Sequence, residues 1–209
     1  MRLNNEWDKV LEFEETIAEF CGSKYAVAVD SNTNGIKLVL EYLKIKDTII
    51  TIPKKTYVSV PNQIIHSGNI PKFEDIEWSG EYRLDPTPIV DSACRFKKDM
   101  YINDTYQILS FHHRKIIKIG KGGMILTNDE NFVSWCRPMI YDGRHIDKMY
   151  TEDEFECIGY HMYMTPEDAK LGMECFRKVS INENDDCGSS NTYKDLTQQS
   201  IFKNHISGQ

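Results

Sequence analysis

Four short clusters in this 209-residue chain put polar or ionisable side chains directly after apolar runs. In SFHHRKIIKIGKGGMILTND, Ser110 closes one such run, Lys115 stands five residues on behind Arg114, and Gly122-Gly123 precede the next run. A lysine held near a phosphate-binding turn and other cations can have a lowered pKa, so that some neutral amine is available for Schiff-base formation. The competing reading is a solvated surface lysine. Asp91 ends the apolar PIVD, where an acid can face a cationic ring nitrogen or simply cap a turn. SNTNG, Ser31 to Gly35, offers backbone N–H groups to a phosphate or, more plainly, caps a helix. Tyr57 in KKTYVS can stack on a flat ligand or merely pack.

Taken together, the clusters supply a phosphate cup, a ring-nitrogen partner, an amine and a stacking face. That set fits pyridoxal 5'-phosphate.

Alternating elements must position these groups. Val10, Phe13, Ile17, Ala18 and Cys21 recur at helical spacing, predicting a helix from about Glu6 to Phe20 closed by Gly22. The pattern continues with YAVAVD as a strand, SNTNG as a tight turn, IKLVLEYL as a helix, IITIP as a strand, YVSVPNQIIHSG as a helix and IPKFEDI as a strand. Such alternation predicts a mostly parallel α/β sheet flanked by helices, with ligands beyond the carboxyl ends of strands. From Glu77 to Pro88 the sequence reads as turns, followed by the strands PIVDSA, YQILSF and GMILTND and the helices ENFVSWCRPMIYDG and PEDAKLGMECFRK. Thr165 is the expected N-cap of the last helix, with Pro166 at its first position. The expected division is one domain over 1–179 and a polar tail or short appendage over 180–209.

Bulk properties narrow the function class. A formal charge of −7 speaks against a general nucleic-acid binder, while Lys115, Lys118 and Lys121 can serve a single phosphate. Six cysteines without CxxC spacing point to neither zinc nor a disulfide framework. The acid-rich N-terminal stretch does not read as a signal peptide and no apolar run reaches membrane-spanning length, so the expectation is a cytoplasmic protein without a membrane partner.

From the N-terminal helix to about Phe176 the sequence resembles the DegT/DnrJ/EryC1/StrS family of pyridoxal-phosphate-dependent sugar aminotransferases. The Ser110-to-Asp129 stretch is similar to the family's Ser-Phe-x-x-x-Lys run with Gly-Glu-Gly-Gly and Thr-Asn-Asp. SNTNGIKLVL resembles its Ser-Gly-Thr phosphate turn, TYVS its Thr-Phe-x-Ala segment, VDSAC its Asp-x-Ala-Gln segment, and GYHMYM, Gly159 to Met164, its dimer-crossing loop. The resemblance implies the aspartate aminotransferase-like fold (fold type I), in a shortened form of its large domain without the C-terminal small domain. It implies the internal aldimine on Lys115, a phosphate contact from Ser110, phosphate binding by Ser31, Asn32, Thr33 and Asn34, and Tyr57 on the ring face. Asp91 would then pair with the pyridinium nitrogen, and His161 would reach a neighbouring site across a homodimer. Cys94 replaces the family's glutamine, Lys121 a glutamate, and His161 and Tyr163 an asparagine and an arginine.

The implied reaction carries an amino group from a donor such as glutamate to a nucleotide-linked keto sugar. The alternative is a degenerate or non-catalytic pyridoxal-phosphate-binding protein, such as one that completes a partner's site. The family's dehydratase branch has histidine at the lysine position, and Lys115 argues against it even with His112 and His113 adjacent.

Overall fold

The computed structural model describes residues 6–179 and 186–203. Helix α1 (Asp8–Cys21) ends on Gly22, whose φ of 84° is the left-handed conformation that stops a helix without Cβ strain. Then follow β1 (Tyr25–Val29), α2 (Asn32–Tyr42), β2 (Ile49–Pro53), α3 (Ser59–His66), β3 (Ile70–Glu74), β4 (Tyr82–Arg83), β5 (Ile89–Asp91), β6 (Tyr106–Ser110), β7 (Gly123–Thr127), α4 (Glu130–Ile140) and α5 (Pro166–Phe176). Thr165 caps α5, its hydroxyl accepting from the Asp168 N–H, with Pro166 in the first turn as expected.

The sheet is mixed rather than mostly parallel. Five strands run in the order β1-β7-β6-β5-β4, and β2 pairs with β3 separately. Only β5–β6 and β2–β3 are parallel; β7 lies antiparallel to both β1 and β6. The β6-to-β7 connection contains no helix, so the chain turns back as a wide hairpin instead of crossing over. A reciprocal pair of backbone bonds between Thr51 and Asp85 ties the β2–β3 pair to the main sheet.

Period-two alternation explains the layering. Val27, Val29, Ile108 and Ile125 face the side covered by α2, α3 and α4. Ala26, Ala28, Leu109, Met124 and Leu126 face Phe13, Ile17 and Ala169 of α1 and α5. Both faces are therefore buried, which fits the near-continuous apolar runs of β1 and β7.

Two other expectations change. SNTNG is not a free turn: Asn32 to Gly35 form the first turn of α2, because Ser31 accepts from the Asn34 N–H and nucleates the helix there. The stretch from Glu77 to Pro88 contains β4, only two residues long, which pairs with β5 through Tyr82↔Asp91 and Arg83↔Val90. At the C-terminal end, residues 186–203 run as short single turns, with Leu196 and Phe202 buried.

Candidate active site

Beyond the ends of β5 and β6, facing the N-terminus of α2, a cavity of about 580 Å³ opens to solvent. Asp91, the last residue of β5, forms its floor and is 4% exposed. Its Oδ1 accepts from Asn32 Nδ2 and the Ala93 N–H, both at 3.0 Å, and its Oδ2 accepts from the Tyr82 hydroxyl at 2.7 Å. Burial pushes the carboxyl above its usual range, only partly offset by these donors and by the charge of Lys115.

Lys115 sits on the loop between β6 and β7, which Ile117 and Ile119 anchor in the core. Its N–H donates to the His112 carbonyl at 2.8 Å, and its Nζ donates to Cys94 Sγ at 3.1 Å. Gly123 is what lets this loop close over the helix end: a Cβ there would meet the Asn32 nitrogen at 2.5 Å and the Leu109 carbonyl oxygen at 2.9 Å.

The N-terminus of α2 supplies the third part. The N–H groups of Asn32 and Thr33 have no carbonyl within the helix to bond, and the helix dipole points into the cavity mouth. Beside them the Thr33 and Ser59 hydroxyls share a hydrogen bond of 2.7 Å. Tyr57, 59% exposed, Trp78 and Tyr193 give the cavity aromatic walls.

Seven of the nine residues singled out in the sequence therefore line one cavity: Ser31, Asn32, Thr33, Tyr57, Asp91, Ser110 and Lys115. Asn32 does more than offer backbone, because its side chain also braces Asp91 and bonds the Ile108 carbonyl. Asn34 turns its side chain to Asp30 at 2.7 Å, and His161 is exposed, with Nδ1 2.9 Å from Asp142; neither reaches this cavity in its own chain. Lys121 lines the rim, paired with Asp30 at 3.0 Å.

Sequence reasoning passed over Tyr82, Thr56, Ser59, Trp78, Cys187 and Tyr193. Tyr82 matters most, since its hydroxyl links Asp91 to Thr56. An aromatic residue alternating with polar ones in EYRLD was the available signal for a short strand.

The site fits pyridoxal phosphate on its own geometry. Asp91 is a buried carboxylate whose protein neighbours leave its charge under-compensated, and Oδ2 has room for one more donor beside Tyr82. A protonated ring nitrogen is such a donor. The helix end suits a phosphate, and Lys115 brings an amine to the same cavity.

Comparison with known proteins agrees with this reading. The DegT/DnrJ/EryC1/StrS aminotransferase family matches residues 2–92 and 102–201. The chain is 25% identical over 215 residues to GDP-perosamine synthase of Caulobacter vibrioides, covering 81% of this chain and 57% of that protein. It is 22% identical over 218 residues to the UDP-4-amino-4,6-dideoxy-N-acetyl-beta-L-altrosamine transaminase of Campylobacter jejuni, covering 83% and 58%. Among solved structures, AtS13 from Actinomadura melliaura superposes with a TM-score of 0.71 at 17% identity, covering 82% of this chain and 60% of that one. The chain thus spans less than two thirds of the length of these relatives. With the family matched along most of its length and the cavity built to suit, the chain belongs to the DegT/DnrJ/EryC1/StrS aminotransferases, whose cofactor is pyridoxal 5'-phosphate.

Proposed function

We propose that this chain binds pyridoxal phosphate and transfers an amino group to a nucleotide-linked keto sugar, with glutamate or a similar amino acid as donor. The observation that carries the reading is the convergence, in one cavity, of buried Asp91, the Lys115 amine and the N-terminus of α2. When bound, pyridoxal phosphate supplies an electron sink for bonds broken at the amine-bearing carbon. Asp91 would hold a proton on the ring nitrogen through Oδ2, while Asn32, Ala93 and Tyr82 keep the carboxylate oriented. Lys115 would hold the cofactor through its amine and, once freed, carry a proton at Nζ between cofactor and substrate carbons. The α2 N-terminus, Thr33 and Ser110 would bind phosphate, and Tyr57 would cover the ring and exclude water.

The sugar nucleotide is supported by the names of the two curated relatives, which act on GDP- and UDP-linked sugars. In this reading residues 1–179 carry the cofactor domain, residues 180–209 are appended to it, and the working unit is a cytoplasmic homodimer. The exposed apolar side chains of Met149, Tyr150, Phe155 and Ile158 support a second copy as neighbour. A second reading, cofactor binding without turnover, draws on Cys94, whose sulfur engages the Lys115 amine where the family has a glutamine.

The experiment is spectroscopic. Pyridoxal phosphate added to the chain should give a visible band that borohydride fixes on the Lys115 peptide. Glutamate should bleach the band and a nucleotide-linked keto sugar should restore it. A fixed band that no donor bleaches would favour the second reading; no band at all would overturn both.

A further inference from the structure

Cys94 and Cys187 come from segments far apart in the chain and meet on the cavity wall. Their backbones set how they face each other. Arg95 and Asp186 form an antiparallel bridge, and the Cys187 N–H donates to the Cys94 carbonyl at 2.8 Å while the Cys94 N–H donates to the Gly80 carbonyl at 3.1 Å, so the two cysteines face each other across one backbone bond at the end of a short paired segment. Opposed residues of an antiparallel pair point to the same face with Cα atoms about 4.5–5.5 Å apart. A disulfide spans Cα separations of about 4.4–6.8 Å. Arg95 holds the register by gripping Asp186 through two bonds, Nε–Oδ1 at 2.8 Å and Nη2–Oδ2 at 2.9 Å.

The Cys94 sulfur is also where donors converge. Lys115 Nζ lies 3.1 Å away, the Tyr193 hydroxyl 3.4 Å, and the Cys187 thiol hydrogen-bonds to it as well. The Cys187 thiol, more than Tyr193 or Lys115, outweighs burial and brings the Cys94 thiol down to about 6. The remaining thiols are set differently: burial pushes Cys21, Cys136 and Cys157 upward, and Cys175 is engaged with the Lys118 carbonyl at 3.6 Å.

We propose that Cys94 is a peroxide-reactive thiolate that Cys187 resolves as a disulfide, making this wall of the cavity an oxidative modification site that takes the sulfur away from Lys115. In the first step the Cys94 thiolate attacks hydrogen peroxide. An S–O bond forms, the O–O bond breaks, and the departing hydroxide takes a proton to leave as water. Sulfur is oxidised to sulfenic acid by two electrons and the peroxide is reduced. In the second step the Cys187 sulfur attacks the Cys94 sulfur. The S–S bond forms, the S–O bond breaks, and hydroxide leaves with the Cys187 proton as a second water. A dithiol reverses the change.

The test uses the full chain without cofactor, so its failure leaves the aminotransferase reading untouched. Hydrogen peroxide is added across pH 5 to 9, and peptides are mapped without reduction. The expected product joins the Cys94 and Cys187 peptides with loss of two hydrogens, ahead of oxidation at the other cysteines. At pH 7 the advantage over free cysteine should be only about a few-fold, because a larger thiolate population is offset by lower intrinsic nucleophilicity. The pH profile discriminates better: the rate should level off above about pH 7 and fall about tenfold per unit well below 6, where an ordinary thiol of pKa about 8.5 still gains rate beyond pH 8. Cys187→Ser should halt the reaction at a Cys94 sulfenic acid that dimedone traps. Earlier oxidation of another cysteine, a Cys94 link to some other residue, or a rate still climbing through pH 8 would overturn the proposal.

Discussion

The floor of the cavity and its outer wall are built in different ways. The floor consists of Asp91 at the end of β5, Asn32 at the start of α2, and Lys115 on the β6–β7 loop that Ile117 and Ile119 anchor in the core. The wall consists of Trp78, Tyr82, Cys94, Cys187 and Tyr193, brought together by β4, the turn after β5 and the appended segment. Trp78 and Tyr193 approach with ring centroids at 5.6 Å, and Trp78 and Tyr82 at 4.9 Å. Regular elements and one core-anchored loop thus hold the chemistry, while irregular chain at the surface decides how the cavity closes. Mutations in the floor should remove function; those in the wall should tune it.

The largest expected effect is at the floor. Lys115→Ala should abolish the visible band of the added cofactor and lower any amino transfer by about a thousandfold, the scale at which a positioned proton carrier is lost. Persistence of the band, or its fixation on Lys118 or Lys121, would break the floor assignment. Next comes Asp91→Asn. It should leave cofactor affinity reduced only modestly but slow the glutamate half-reaction by about a hundredfold, because the carboxylate matters most when charge builds in the ring. Equal half-reaction rates in mutant and parent would contradict it.

This contrast also explains what the sequence disclosed. The positions of Asp91 and Ser110 were readable because apolar runs mark strands, and a polar residue closing a run must lie at a strand end; Lys115 was readable only by its spacing from Ser110 and Gly122-Gly123. Helices α1 and α5 were equally plain from their spacing and caps. Strand direction was not readable, since an apolar run carries no sign; the helix-free loop from β6 to β7 made the sheet mixed. The first turn of α2 was missed because asparagine, threonine and glycine are poor helix formers, and the Ser31 cap together with packing of Gly35 against Ile108 overrides that preference. Tyr82 left only the faint alternation of EYRLD, too short to mark a strand by itself. Tyr193 was invisible for another reason: its contact with Cys94 crosses a long separation, which no local pattern records.

Tyr82 is where floor and wall join, and Tyr82→Phe should give an intermediate effect. The buried ring stays, but Asp91 Oδ2 loses its 2.7 Å donor and Thr56 loses a partner. A buried polar group deprived of its partner costs about 1–3 kcal/mol. The variant should therefore unfold at lower urea concentration and turn over about tenfold more slowly, with the cofactor band retained. If rate and stability both match the parent, Asp91 does not depend on the wall.

The smallest effect should come from the hinge that ties the wall to the domain. Asp186 is held by Arg95, whose guanidinium bonds keep the carboxyl below its usual range and outweigh burial. A carboxyl lowered on folding stabilises the folded form above its unfolded pKa, and that contribution fades as pH falls through the lower folded value. Asp186→Asn should therefore loosen residues 186–203 at pH 7 by about 1 kcal/mol, the scale of a partly buried charge-assisted bond, or about fivefold in exposure of this segment to protease. The main sheet should keep its hydrogen-exchange protection, because Arg95 retains Glu81 at 2.6 Å and the core lies elsewhere. The difference between variant and parent should shrink only below about pH 4, where Asp186 in the parent begins to take up a proton and loses its charge. A gap that closed already near pH 6 would mean that some other group fastens the wall, and equal cleavage at pH 7 would mean that aromatic packing alone holds it.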